Sequence, residues 1–128
     1  MENLKEVGTA ALAYMGDAVY EQAVREHVLR NGIRHGNDLH RMSVRFVRAS
    51  AQAEIVRSIF EELSVEEQKL VKRARNRKYT TKAKNADPVT YKWATAFEAL
   101  VGYLYLAGES ERLDWLLERA IQIIEKER

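Results

Sequence analysis

A chain of 128 residues without a cysteine excludes disulfides and thiolate metal sites, and its length suits one domain, 1–128, with a self-sufficient core. The N-terminal stretch MENLKEVGTA has neither the basic n-region nor the cleavable apolar core of a signal peptide, and no apolar run reaches the roughly 20 residues that span a bilayer, so a soluble cytoplasmic protein is expected. The formal net charge is only +2, but its 21 basic and 19 acidic residues are unevenly placed.

One proline, six glycines and almost no β-branched alternation predict an all-α domain. Helical periodicity runs from about Val7 to Leu29, with Leu12, Met15, Val19 and Ala23 as its apolar stripe. The glycine-containing NGIRHGN follows as a break. Residues 38–61 are expected to form one long helix or two abutting ones, since nothing in them forces a stop. Ser64-Val65-Glu66-Glu67 is a capping box opening a helix to about Arg75. Asn76 to Ala86 is polar, basic and expected to be a loop. Asp87-Pro88 offers an N-cap followed by proline at the first helical position, opening a helix that Gly108 ends. A last amphipathic helix carries Leu113, Leu116, Leu117, Ala120, Ile121 and Ile124 on one face.

Two of these helices contain a lone carboxylate. In WATAFEALVGYLYLA, residues 93–107, Glu98 is the one charge, and the apolar stripe is Trp93, Phe97, Leu100 and Leu104. In LAYMGDAVYEQAV, Asp17 is the one charge between Glu6 and Glu21, and Gly16 before it suggests close approach by another backbone or a ligand. A carboxylate removed from water must neutralise, find a cation or bind a metal. For an isolated glutamate, a bond to a tyrosine or an arginine is the plain alternative. Two apolar helices with one carboxylate each could instead meet and share a hard cation, Mg²⁺ or Mn²⁺, since no cysteine competes and His27, His35 and His40 lack metal-site spacing.

The segment KLVKRARNRKYTTKAK, residues 69–84, holds 8 of the 21 basic residues and no acid, leaving the rest of the chain at a net −6. Such separation of sign suggests a face for a polyanion, nucleic acid first, against the alternative of a solvated helix face. Arg41, Arg45 and Arg48, at helical spacing, extend that footprint or form a solvated stripe. Carboxylates that hold a metal beside a phosphate-binding patch would together account for phosphodiester hydrolysis.

YMGDAVYE at 14–21 resembles the signature of the ribonuclease III catalytic domain, and ATAFEALVGYLYLAG at 94–108 is similar to that family's second block, whose Phe-Glu-Ala-Leu core supplies a metal-binding glutamate. The order and spacing of the blocks agree. With no double-stranded-RNA-binding domain following, the chain resembles the compact Mini-ribonuclease III group over essentially its whole length. Two of the usual four carboxylate positions are here Ala13 and Thr95, so only Asp17 and Glu98 carry over. The resemblance implies an all-helical homodimer and Mg²⁺-dependent cleavage of double-stranded RNA at Asp17 and Glu98, with Mn²⁺ as a substitute. It implies products with 5′-phosphate and 3′-hydroxyl ends. Where the chain departs from the family pattern, Thr95 is a candidate to hold a metal-bound water and Glu21 to support the site, while the basic segment, with Lys72, Arg73, Arg75, Arg77, Lys78, Lys82 and Lys84, suits the RNA backbone. The group's role, maturation of large-subunit ribosomal RNA at a paired stem with a ribosomal protein as accessory, is the expected one. A non-catalytic RNA-binding protein of the same fold is the alternative, as is a helical module whose basic loop binds an acidic protein. The retained charges at Asp17 and Glu98 argue against both.

Overall fold

Side-chain caps mark two helix starts where the sequence places them. Ser64 Oγ accepts from the Glu67 amide at 3.1 Å while the Glu67 carboxylate accepts from the Ser64 amide at 2.8 Å, a complete capping box. The Asp87 carboxylate accepts from the Thr90 amide at 2.9 Å, with Pro88 at the first helical position. The computed structural model describes residues 3–78 and 87–127. Its helices are α1 (Thr9–Arg30), α2 (Gly36–Val47), α3 (Ala49–Ile59), α4 (Val65–Asn76), α5 (Pro88–Leu106) and α6 (Ser110–Lys126), with short 3-10 turns at Leu4–Glu6 and Phe60–Glu62. No strand occurs among the described residues. Most of the expected loop, residues 79–86, lies outside them.

Helix α5 is the axis of the fold. It packs against α1, α3 and α4, with α6 along a further side. This is why its sequence is apolar almost all round: Ala94, Ala96, Phe97, Ala99, Leu100, Val101 and Leu104 are all buried. Tyr20 of α1 meets Phe97 edge-to-face at 4.9 Å and donates from its buried hydroxyl to Phe46 O at 3.0 Å, tying α1, α2 and α5 together. Gly108, at φ 73°, ends α5 in the left-handed conformation, and the Glu109 amide reaches back to Leu104 O at 3.0 Å.

Backbones of α1 and α5 touch through two glycines. A Cβ on Gly16 would lie 1.7 Å from the Glu98 carbonyl oxygen, and one on Gly102 would lie 1.9 Å from the Leu12 carbonyl oxygen. The contact also corrects the expected face of α1. The buried residues are Thr9, Leu12, Ala13, Gly16, Tyr20, Val24 and Val28, whereas Met15, Val19 and Ala23 are only half-buried. Periodicity weighs side-chain hydrophobicity, and it cannot score a glycine whose value to packing is having no side chain.

Residues 38–61 resolve into two helices because Arg48 is extended, at φ −60° and ψ 153°. No proline or glycine causes this break. The Val47 carbonyl, lost to the helix ladder there, accepts from Gln52 Nε2 at 2.7 Å.

Helix α6 is fastened by polar and charged side chains. Arg112 forks onto the buried Glu67 carboxylate at 2.8 and 2.9 Å, Arg119 reaches Glu62 at 3.1 Å, and His27 meets Glu125 at 2.7 Å. Burial opposes the charge on Glu67, but bonds from Arg112 and Ser64 outweigh it and hold that carboxyl below its usual range.

Candidate active site

Asp17 follows Gly16 in α1, and Glu98 is the α5 residue whose backbone Gly16 touches. The glycine contact therefore brings the two carboxylates to one cleft, close enough for the charge of Asp17 to act on Glu98. They line a cleft of about 350 Å³ together with Tyr14, Arg77, Tyr91 and Thr95. Asp17 is on the exposed rim, not in the apolar interior that its neighbours suggested, and Glu98 is half-buried beneath it.

Glu98 is pushed up to about 8. Burial is the leading cause, and the Asp17 carboxylate, through its hydrogen bond and its like charge, adds to it. The charge of Glu21 works in the same direction, whereas the Gln52 amide works against it. Glu98 therefore keeps its proton near neutrality unless a cation offsets its burial and the charge beside it.

Among the described residues, no group of three His, Asp or Glu side chains converges into a cation cage. A pair of carboxylates is nonetheless what a small hard cation requires when its remaining ligands are water and phosphate oxygens. The like-charge strain on Glu98 is what such a cation relieves, so the donor set fits a divalent metal of the Mg²⁺ or Mn²⁺ type.

The remaining sequence candidates divide. Thr95 is buried in the cleft wall, and its hydroxyl donates to Tyr91 O at 2.9 Å, leaving its oxygen as an acceptor. Glu21 stands one turn beyond Asp17 and pairs with Arg25 at 2.9 Å. Of the basic residues, Arg77 lines the cleft. Arg73 and Lys78 are exposed. Arg75 stacks over Trp93 at 4.9 Å, and Lys72 lies 5.7 Å over the Phe60 ring. Lys82 and Lys84 lie outside the described residues. In the other arginine stripe, Arg45 donates to Ile124 O and Glu127 O at 2.9 Å each, and Arg41 pairs with Asp38 at 3.2 Å. Those two arginines are engaged within the chain.

Sequence reasoning missed Gln52. It is 4% exposed in α3, its amide donates to Val47 O at 2.7 Å, and it is the one neighbour that works against the rise at Glu98. The signal was available, since Gln52 is a lone polar side chain between Ala51 and Ala53, just as Glu98 is among its neighbours.

The family model of the ribonuclease III domain matches residues 10–109, which contain both carboxylates. The chain belongs to the ribonuclease III family. Mini-ribonuclease 3 of Symbiobacterium thermophilum is 50% identical over 90% of this chain and 88% of its own length. Mini-ribonuclease 3 of Brevibacillus brevis is 46% identical over 91% and 87%. A crystal structure of a Fusobacterium nucleatum protein superposes with a TM-score of 0.83 at 28% identity, covering 95% of this chain and 98% of that one. These relatives place the chain in the Mini-ribonuclease III group, and it is an endoribonuclease. None of the described helices is long and apolar enough to cross a membrane.

Proposed function

We propose that this protein is a Mg²⁺-dependent endoribonuclease that cuts double-stranded RNA, with Asp17 and Glu98 as its metal-binding catalytic residues. Residues 1–128 would act as one catalytic domain. The observation that carries this reading is the apposition of two carboxylates in an open cleft, at a strain that a divalent cation would relieve. When bound, the metal would supply an activated water and charge stabilisation at the leaving oxygen. Asp17 on the rim and Glu98 below it would orient that metal towards a phosphate entering from solvent. Arg77 at the same cleft would neutralise the phosphate, and the Thr95 oxygen would accept from water held between the carboxylates. Glu21 would act at longer range through its charge. The exposed Arg73 and Lys78, with Lys72, Arg75, Lys82 and Lys84, would track the backbone of an A-form duplex, which is read mainly by shape, phosphates and 2′-hydroxyls.

Cutting both strands requires two cleavage sites. We assign the apolar hollow of about 440 Å³ that includes Leu29, Leu39, Val44 and Val47 to a second copy of the chain, because Leu29 and Val44 are exposed large hydrophobics. The substrate we infer from the resemblance is a base-paired stem in large-subunit ribosomal RNA precursor, with a ribosomal protein presenting it. Incubation with a perfectly paired RNA and Mg²⁺ should give double-strand cleavage that EDTA abolishes, from a protein that light scattering reports as a dimer. Metal-independent cleavage, or binding without cleavage, would favour the non-catalytic alternative or a different chemistry.

A further inference from the structure

Trp93 receives two guanidinium groups on one ring. Arg75, in the last turn of α4, lies with its Cζ 4.9 Å from the ring centroid, and Arg57, in the last turn of α3, lies at 5.5 Å. The negative face of an indole attracts a cation, more strongly where water is excluded. Neither arginine forms an ion pair among the described residues, so the half-buried ring is what holds both. Arg75 is steadied further by the Asn76 side chain, whose Oδ1 accepts from its Nε at 3.0 Å. Helix α4 ends at that point. Arg77 is already extended, at φ −66° and ψ 142°, and lines the cleft of the two carboxylates. The cleft residues Tyr91 and Thr95 each stand two positions from Trp93 in α5, which at about 100° per residue puts them nearly opposite it on the helix. Arg75 and Arg77, two residues apart, thus serve opposite sides of α5.

We propose that Trp93 is a positioning residue for Arg77. By seating Arg75 it fixes where α4 stops and the chain turns, and so sets the Arg77 guanidinium at the cleft. The inference rests on Arg77 meeting the RNA phosphate that is cut there. Arg77 is exposed, and ordering a long exposed side chain on a phosphate costs conformational entropy. A backbone anchored two residues earlier removes part of that cost before RNA arrives, which is how a group remote from the reacting atoms contributes to rate. Arg57 adds a second tie to the same ring, so Trp93 joins the ends of α3 and α4 to the start of α5. Packing alone does not call for this arrangement. An aliphatic side chain at position 93 would cover the core without gathering two like charges.

The test is a double-mutant cycle on the full-length protein, with kcat/KM for duplex RNA in Mg²⁺ as the readout. Trp93→Leu removes the ring and Trp93→Phe keeps one, and each is made alone and together with Arg77→Ala. Trp93→Leu should lower kcat/KM by about 10-fold, Arg77→Ala by at least as much, and Trp93→Phe by clearly less than Trp93→Leu. In the Arg77→Ala background, Trp93→Leu should cost no more than about twofold, because the side chain it positions is gone. A loss of the same size in both backgrounds would overturn the proposal, since Trp93 would then act through stability or another residue. Full activity in a folded Trp93→Leu would overturn it as well. If Trp93→Leu does not fold, Arg75→Met takes its place in the same cycle with the same expectations, for it removes the cation and leaves the ring. An Arg77→Ala protein as active as the unsubstituted one would instead sink the role of Arg77 at the phosphate, so that failure is read separately.

Discussion

Glu98 carries the most strain of any residue in the cleft, and that strain has a measurable sign. Its folded-state value, about 8, lies above the ordinary 4.5. The unfolded chain therefore loses this proton first, and between those two values it binds fewer protons than the folded one. Stability of the metal-free protein falls as pH rises across that window. Glu98→Gln removes the titration. In EDTA its melting temperature should exceed that of the unsubstituted protein by more at about pH 9 than at about pH 4, and Mg²⁺ should narrow the gap. Thermal scans at the two pH values check this; a gap independent of pH would show that Glu98 is not strained. At this scale much was legible in the sequence. Asp17 and Glu98 are recognisable because each is a lone charge among apolar neighbours. That Asp17 sits on the rim was not legible, since exposure depends on which face of α1 meets α5.

Between elements, the decisive contact is made by atoms that are not there. Gly16 and Gly102 let α1 and α5 approach until backbone meets backbone, and this approach aligns the carboxylates. Gly16→Ala puts a methyl group against the Glu98 carbonyl, which cannot give way as a side chain would. The expected penalty is about 3 kcal/mol or more in urea unfolding, above the usual range for one added methyl group because backbone must move. Activity in the fraction that still folds should fall with it, because the helices must separate where the carboxylates meet. A neutral Gly16→Ala would mean that the two helices have slack. The caps at Ser64 and Asp87 and the stop at Gly108 were legible, being local chemistry. The division of residues 38–61 at Arg48 was not, because a distant-looking glutamine holds it and no helix breaker marks it.

Across the whole molecule, the basic segment reaches the carboxylates' cleft at Arg77, and on the proposed reading the two divide binding and chemistry between them. Their charge separation was visible in the sequence, but their individual duties were not. Arg75 is committed to Trp93 and Arg45 to the end of α6, so they are poor probes of RNA contact. Arg73 and Lys78 are exposed and are better ones. Replacing both with alanine should weaken duplex binding about equally across sequences and reduce the salt slope by roughly one unit per lost phosphate contact. Filter binding over a salt series reads this directly; an unchanged slope would make them a solvated face. The central claim is that the Asp17–Glu98 pair performs the chemistry while the rest of the surface holds the RNA. Single-turnover cleavage of a paired RNA in Mg²⁺ by Asp17→Asn and Glu98→Gln, beside RNA affinity in EDTA, tests it most directly. Each variant should cleave roughly 10³-fold more slowly or worse, with affinity within about threefold of the unsubstituted protein. Undiminished cleavage by either variant would place the metal and the reaction elsewhere on the molecule.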